Sequence, residues 1–137
     1  MNFVETNIKW LMLVSGVLTC TMVYAALAPV AALQSTFGES LNGPLAELIV
    51  RNWAILITLV GAMLIYGAFN PPVRGLVLTV AVVSKFAFIA LVLANGGRYL
   101  SNQAGVAVVV DFVWVVLFSW YLIRSTMGGF AKGSIRR

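Results

Sequence analysis

Two ionisable residues interrupt otherwise apolar stretches of this sequence, and their types make them the strongest candidates for chemistry. Lys85 lies near the middle of one apolar run, and Asp111 lies inside the outer half of the next. An ionised side chain at the centre of a membrane helix costs about 2.5–3.5 kcal/mol on insertion scales. We therefore expect Lys85 and Asp111 to form an ion pair, because each charge then offsets the cost of burying the other.

Such a pair has two interpretations. It can fix helix register and partner choice without doing chemistry, or it can serve as a proton or ion relay or anchor a polar ligand head group. A transport path normally needs further polar groups, and the sequence offers no histidine and no second carboxylate inside an apolar run. This favours the structural interpretation.

A second set of charges is expected on the outer side of the membrane. Glu47 and Arg51 are four residues apart with the acid first, which is the favourable order on a helix. Arg51 is also within reach of Asp111, and Arg98 follows the third apolar run. Glu47, Arg51 and Arg98 therefore define a candidate outer polar cluster, together with Asp111 if helix rotation brings it near.

Composition excludes several functional classes. Of the 137 residues, 61% are hydrophobic and 9% are charged, whereas soluble domains carry about 25% charged residues. The sequence has no histidine and one cysteine, which excludes a Ser–His–Asp triad, a histidine-ligated haem or zinc ion, and an internal disulfide. We expect no catalytic centre, metal site or cofactor. Basic residues are too few to predict a nucleic-acid partner.

The elements that position these residues are four apolar stretches, each close to the length that spans a bilayer. The sequence predicts an all-α, four-helix transmembrane bundle in a single domain, residues 1–137, with spans at about 10–28, 48–69, 75–95 and 104–124. Asn70-Pro71-Pro72 and Asn95-Gly96-Gly97 break the helices. Because these connections are short, we expect antiparallel neighbours in an up-down-up-down arrangement.

The first connection is longer. Pro44 suits the first turn of a helix, so the second helix is expected to begin there and project beyond the apolar core. Residues 30–37 either lie along the interface or fold back over the helix ends.

The first span has superficial features of a signal peptide, namely Lys9, an apolar run and Ala26-Leu27-Ala28. The length of that run and Pro29 after it favour a true span.

Basic residues indicate the orientation. The side that holds both termini has six of them and the other side has two, set against Glu39 and Glu47. Cytoplasmic loops carry the excess of Lys and Arg, so both termini are expected in the cytoplasm. The six are Lys9, Arg74, Arg124, Lys132, Arg136 and Arg137. The basic tail at 125–137 is expected to be flexible, either as a solvated topology signal or as an anchor on anionic lipid.

The side chains of the spans also indicate what the faces of each helix contact. Small residues such as Gly16, Cys20 and Gly61 let helices approach closely in lipid, most simply within the bundle. The fourth span carries five aromatic residues on more than one side, which a four-helix bundle cannot all enclose. The remainder must face membrane lipid, a bound lipid or quinone-like ligand, or a partner subunit. The five are Phe112, Trp114, Phe118, Trp120 and Tyr121.

The layout resembles the DoxX-like and DUF4345-like small four-helix membrane proteins of bacteria. The resemblance rests on the four spans and on residues 24–61, where Ala28-Pro29 ends the first span, Phe37-Gly38 lies in the loop, and a helix carries Glu47, Arg51-Asn52-Trp53 and Gly61. It implies a multi-pass protein of the bacterial cytoplasmic (inner) membrane. The resemblance to some members also implies a role beside a respiratory partner. It assigns no function to any particular residue.

Two functions follow from these observations. The first is a non-enzymatic accessory or interaction subunit, in a homo-oligomer or a larger membrane complex. The alternative is a small carrier or channel for a proton, an ion or a lipid-like molecule that uses Lys85 and Asp111. An enzyme is the weakest of the three readings, because a catalytic constellation is missing from the sequence.

Overall fold

The computed structural model describes the backbone of residues 2–133 and the side chains of residues 2–129. Every regular element in this part of the chain is helical, and four stretches are long and apolar enough to cross a membrane, as predicted. The helices are α1 (Phe3–Cys20), α2 (Val23–Leu27), α3 (Pro29–Phe37), α4 (Pro44–Phe69), α5 (Arg74–Ala94) and α6 (Gln103–Gly133), with a 3-10 turn at Pro71–Val73. The candidate spans are Phe3–Leu27, Pro44–Phe69, Pro71–Ala94 and Gln103–Gly129.

The first span differs from the uninterrupted helix predicted for residues 10–28. It begins earlier, at Phe3, where the Glu5 carboxylate accepts a hydrogen bond from the backbone N–H of Asn2. It then breaks at Thr21 and Met22 before α2. The Thr21 hydroxyl donates to the Leu18 carbonyl, and side-chain bonds of this kind compete with the regular helical ladder. The span is therefore a helix of five turns followed by a second helix of five residues.

Residues 29–37 form α3, which folds back onto the neighbouring helices, as one of the two alternatives for this segment predicts. Pro29 occupies the first turn of α3, and Gly38 ends it with a φ of 73°, a left-handed conformation that glycine adopts at little cost. Ala32 of α3 packs with Ala25 and Ala54, and Phe37 packs on α5 and α6 near the loop that connects them. Helix α3 thus covers one end of the bundle.

The helix of the fourth span continues past residue 124, where the span was predicted to end, and the flexibility of residues 125–137 stays a prediction. Helix α6 continues to Gly133, so residues 125–133 are helical, and residues 134–137 lie outside the described part of the chain. The hydroxyls of Ser125 and Thr126 both donate to the Leu122 carbonyl within the helix. Adding a residue to an existing helix needs no new nucleation, so two glycines do not suffice to end it.

The core is built from two close helix pairs, α1 with α4 and α5 with α6. In the first pair the backbones meet at glycines, since a Cβ on Gly16 would lie 2.8 Å from the Gly61 carbonyl oxygen. Further along, Met12 lies against Gly67, so the two helices run in opposite senses. The pairs join through a central cluster in which Met12, Leu64 and Phe118 are fully buried. The small residues therefore serve the bundle itself.

Candidate functional site

The centre of the molecule is an ion pair between α5 and α6. Lys85 Nζ donates a hydrogen bond to Asp111 Oδ1 at 2.6 Å. The two side chains are only 9% and 18% exposed, respectively. The tight α5–α6 hairpin brings these residues together although they are 26 positions apart in the sequence. At this distance and burial the pair is a charge-assisted hydrogen bond as well as a Coulombic contact.

A third helix contributes to the pair. Lys85 Nζ also lies 3.4 Å from Thr19 Oγ1 of α1. The Thr19 hydroxyl donates its own proton to the Ser15 carbonyl at 2.8 Å, which leaves an oxygen lone pair for the ammonium group. The sequence alone did not identify Thr19 as a partner of Lys85. A hydroxyl inside an apolar run was the available signal, but its partner depended on helix rotation.

Ser15 extends this row of polar atoms by one helical turn. Its side chain is fully buried, and Oγ finds no hydrogen-bond partner among the described residues. A buried hydroxyl without a partner costs about 1–3 kcal/mol. Ser15, Thr19, Lys85 and Asp111 therefore form a short polar row that crosses the bundle from α1 to α6.

Apolar layers enclose the ion pair on both sides along α5. Ala81, Lys85 and Ile89 are spaced by four residues and so share one face of the helix, and all three are buried. Ala81 belongs to the central cluster with Met12 and Phe118, whereas Ile89 packs in a separate cluster, the loop-end cluster, with Val92 and Val108. The two charges neutralise each other between these layers, and this arrangement ties three helices together.

The predicted outer polar cluster separates into two ion pairs. Arg51 lies 3.7 Å from Glu47 and also donates to the backbone carbonyl of Ala26. Arg98 pairs instead with Glu39 in the loop after α3. Asp111 is held by Lys85 rather than by Arg51. Within the predicted cluster, therefore, only Glu47 and Arg51 pair with each other, because Glu39 is the acceptor for Arg98.

The described residues contain no group of three or more histidine, cysteine or carboxylate side chains that could hold a metal ion. The site itself offers one buried ammonium–carboxylate pair and two hydroxyls. Comparison of the chain with models of known families, with curated proteins and with solved structures gave no significant match. The resemblance to DoxX-like proteins stays a prediction.

Proposed function

We propose that this chain is a multi-pass protein of the bacterial cytoplasmic membrane that acts as an accessory or interaction subunit, without a catalytic centre. The observation that carries this proposal is a stripe on α6. Seven apolar residues, all about half exposed or more, recur at alternating spacings of three and four positions. The stripe consists of Val106, Val109, Val113, Val116, Trp120, Ile123 and Met127.

The spacing of this α6 stripe is that of a coiled-coil seam, in which one side chain fills the hole between four residues of a facing helix. Left-handed packing of this kind is also the commonest arrangement between membrane helices, where packing rather than hydrophobicity drives association. Only 17% of the most apolar window of α6 is buried within the chain, the smallest share among the four candidate spans. A second copy of α6 is the partner that presents the same spacing, so the proposal favours a homo-oligomer.

The proposed topology is up-down-up-down with both termini in the cytoplasm. Its support is the distribution of basic residues in the sequence and the shortness of the α4–α5 and α5–α6 connections. Membrane lipid covers the remaining outward faces in this proposal. The bound lipid or quinone-like ligand predicted for the outward aromatic residues, Phe112 and Trp120, stays a prediction.

Native mass spectrometry of the protein extracted in mild detergent tests the proposal. We expect a dimer or larger assembly for the parent, and a monomer for Val113→Phe and Val116→Phe, whose rings no longer fit the seam. Val110→Phe is the matched control, since Val110 is exposed on the same helix but lies outside the stripe. A parent protein that is a monomer without partner or bound lipid would overturn the proposal.

The polar row favours a second candidate, a small carrier or channel for a proton or an ion. Ser15, Thr19, Lys85 and Asp111 place polar atoms across the interior of the bundle, and Asp111 keeps 18% of its side chain exposed. Intramembrane ionisable residues commonly mark such paths. The closed Lys85–Asp111 contact would have to open in each transport cycle.

Flux through proteoliposomes tests this candidate. Transport by this path requires that Lys85→Met abolish proton or ion flux, whereas Lys9→Met, which removes an exposed lysine, should leave it unchanged. Flux that survives Lys85→Met rejects the carrier hypothesis.

A further inference from the structure

A cavity of about 380 Å³, largely open to the outside of the bundle, lies between α3, α4 and α5, apart from both the ion pair and the α6 stripe. Its volume is at the lower end of the range for small-molecule sites, about 300–1,000 Å³. Its walls are almost wholly apolar, and four of its lining side chains are aromatic: Phe37, Trp53, Phe88 and Tyr99.

The aromatic rings are set at angles to one another. Phe37 meets Tyr99 edge to face, with ring centroids 5.5 Å apart and an interplanar angle of 82°. Phe37 and Trp53 lie 6.3 Å apart at 43°. The cavity therefore presents ring faces and ring edges together. Both are surfaces against which another planar ring packs well, because stacked and edge-to-face pairs gain energy beyond the area they bury.

The wall that carries Phe37 is held in place by the α5–α6 loop. Asn102 Nδ2 donates to the Phe37 carbonyl oxygen at 3.1 Å, directly before the glycine that ends α3. Tyr99 belongs to the same loop and packs with the loop-end cluster of Ile89, Val92 and Val108. A wall that is fixed before the ligand arrives loses less conformational freedom on binding.

The chemistry of the lining selects an uncharged ligand. None of its lining residues is charged, and Arg98, whose guanidinium carbon lies 5.7 Å from the Tyr99 ring centroid, already pairs with Glu39. The volume suits a ring system rather than an entire phospholipid. A straight acyl chain would gain only from buried area, whereas a planar ring would also gain from the aromatic geometry.

The two ends of the cavity differ in polarity. Asn95 caps the end of α5, where its side-chain amide donates to the Leu91 carbonyl, and Tyr99 follows in the loop, so the polar residues of the lining lie at the loop end. Leu91 lines the cavity and is 67% exposed on the outside of the bundle. We propose that this cavity binds the planar, uncharged ring of a membrane amphiphile. The polar substituent of the ring lies toward Asn95 and Tyr99, and its apolar chain passes Leu91 into the lipid.

The test uses 6-fluoro-2-methylnaphthalene as a ring probe, with fluorine NMR of the full chain in phospholipid nanodiscs. We expect saturable binding at one site per chain above the partitioning seen in empty nanodiscs. Leu91→Phe should weaken binding at least tenfold by filling the cavity. Leu93→Phe is its matched control, because Leu93 is also exposed on α5 but does not line the cavity.

A second variant keeps the test independent of any folding defect at position 91. Phe88→Leu removes one ring of the wall and should weaken binding about two- to tenfold, whereas Phe86→Leu removes an exposed ring elsewhere on α5 and should have no effect. The absence of saturable binding would overturn the proposal. The proposal would also be overturned if hexadecane displaced the probe as effectively as 2-methylnaphthalene does, since the site would then be one for acyl chains.

Discussion

Lys85 Nζ lies 2.6 Å from Asp111 Oδ1, and the same ammonium group lies 3.4 Å from the Thr19 hydroxyl oxygen. One cation thereby joins α1, α5 and α6 inside a bundle in which Ser15 is the one further polar side chain that is buried among the described residues. Removing one member of such a pair leaves an uncompensated buried charge, whereas replacing both members with apolar residues removes the electrostatic cost entirely. Comparing the stability of single and double variants therefore tests the structural role of the pair.

The first prediction concerns the pair itself. Asp111→Asn should destabilise the protein by about 3–5 kcal/mol because Lys85 stays buried without a counter-charge. The double variant Lys85→Met/Asp111→Leu should recover most of that loss. Reversible unfolding in mixed detergent micelles measures both. A double variant as unstable as the single one would show that the charges themselves, rather than their pairing, hold the bundle together.

The exposed pair provides the comparison for that experiment. Arg98 and Glu39 also form an ion pair, but their side chains are 66% and 50% exposed. Exposed pairs contribute about 0–1 kcal/mol. Arg98→Gln should therefore change stability far less than Asp111→Asn does, and an equal effect would contradict the importance that we give to burial.

Two neighbouring hydroxyls on α1 should respond in opposite directions. Thr19→Val removes an acceptor from Lys85 and should cost about 0.5–1 kcal/mol. Ser15→Ala removes a fully buried oxygen that has no partner among the described residues, so it should be neutral or stabilising. The same unfolding measurement compares the two variants. Destabilisation by Ser15→Ala would mean that Oγ has a partner, such as a buried water.

Close packing between α1 and α4 predicts a strong effect at Gly61. A Cβ there would lie 2.8 Å from the backbone N and from Sγ of Cys20. Backbone atoms cannot move aside cheaply, so Gly61→Ala should cost about 1–3 kcal/mol by overpacking. Gly75→Ala is the control, because nothing lies within 4 Å of a Cβ at that helical position. Equal thermal stability of the two variants would contradict the close α1–α4 contact.

Arg51 should control the position of α2 relative to α4, since it donates to the Ala26 carbonyl. Arg51→Met is expected to destabilise the protein by about 1 kcal/mol and to speed amide hydrogen exchange in residues 23–37. Glu47→Gln weakens only the exposed ion pair and should leave that exchange unchanged. Faster exchange spread evenly over all helices would argue against a local tether.

Membrane orientation is tested with single cysteines in a Cys20→Ala background. Ser101 and Thr126 are both exposed at opposite ends of the bundle. If both termini are cytoplasmic, a membrane-impermeant maleimide should label Ser101→Cys in intact cells and Thr126→Cys only after the membrane is opened. The reverse pattern would invert the proposed topology.

The sequence by itself determined the coarse architecture. A bilayer accepts only helices or closed barrels with apolar exteriors, so four apolar stretches of suitable length, with proline and glycine breaks between them, defined four helical spans. It also indicated that Lys85 and Asp111 would meet, because a short hairpin and two opposite buried charges leave few alternatives. These inferences depend on local composition and on the energetics of burial.

Tertiary structure decided what depends on helix rotation and on distant contacts. Thr19 as a partner of Lys85, Glu39 as the partner of Arg98, and the aromatic cavity under α3 are all contacts between elements far apart in the sequence. Each requires a particular face of one helix to meet a particular face of another. In an almost uniformly apolar chain, hydrophobic periodicity does not specify those faces. Close packing specifies which faces meet, as at the contact between Gly16 and Gly61.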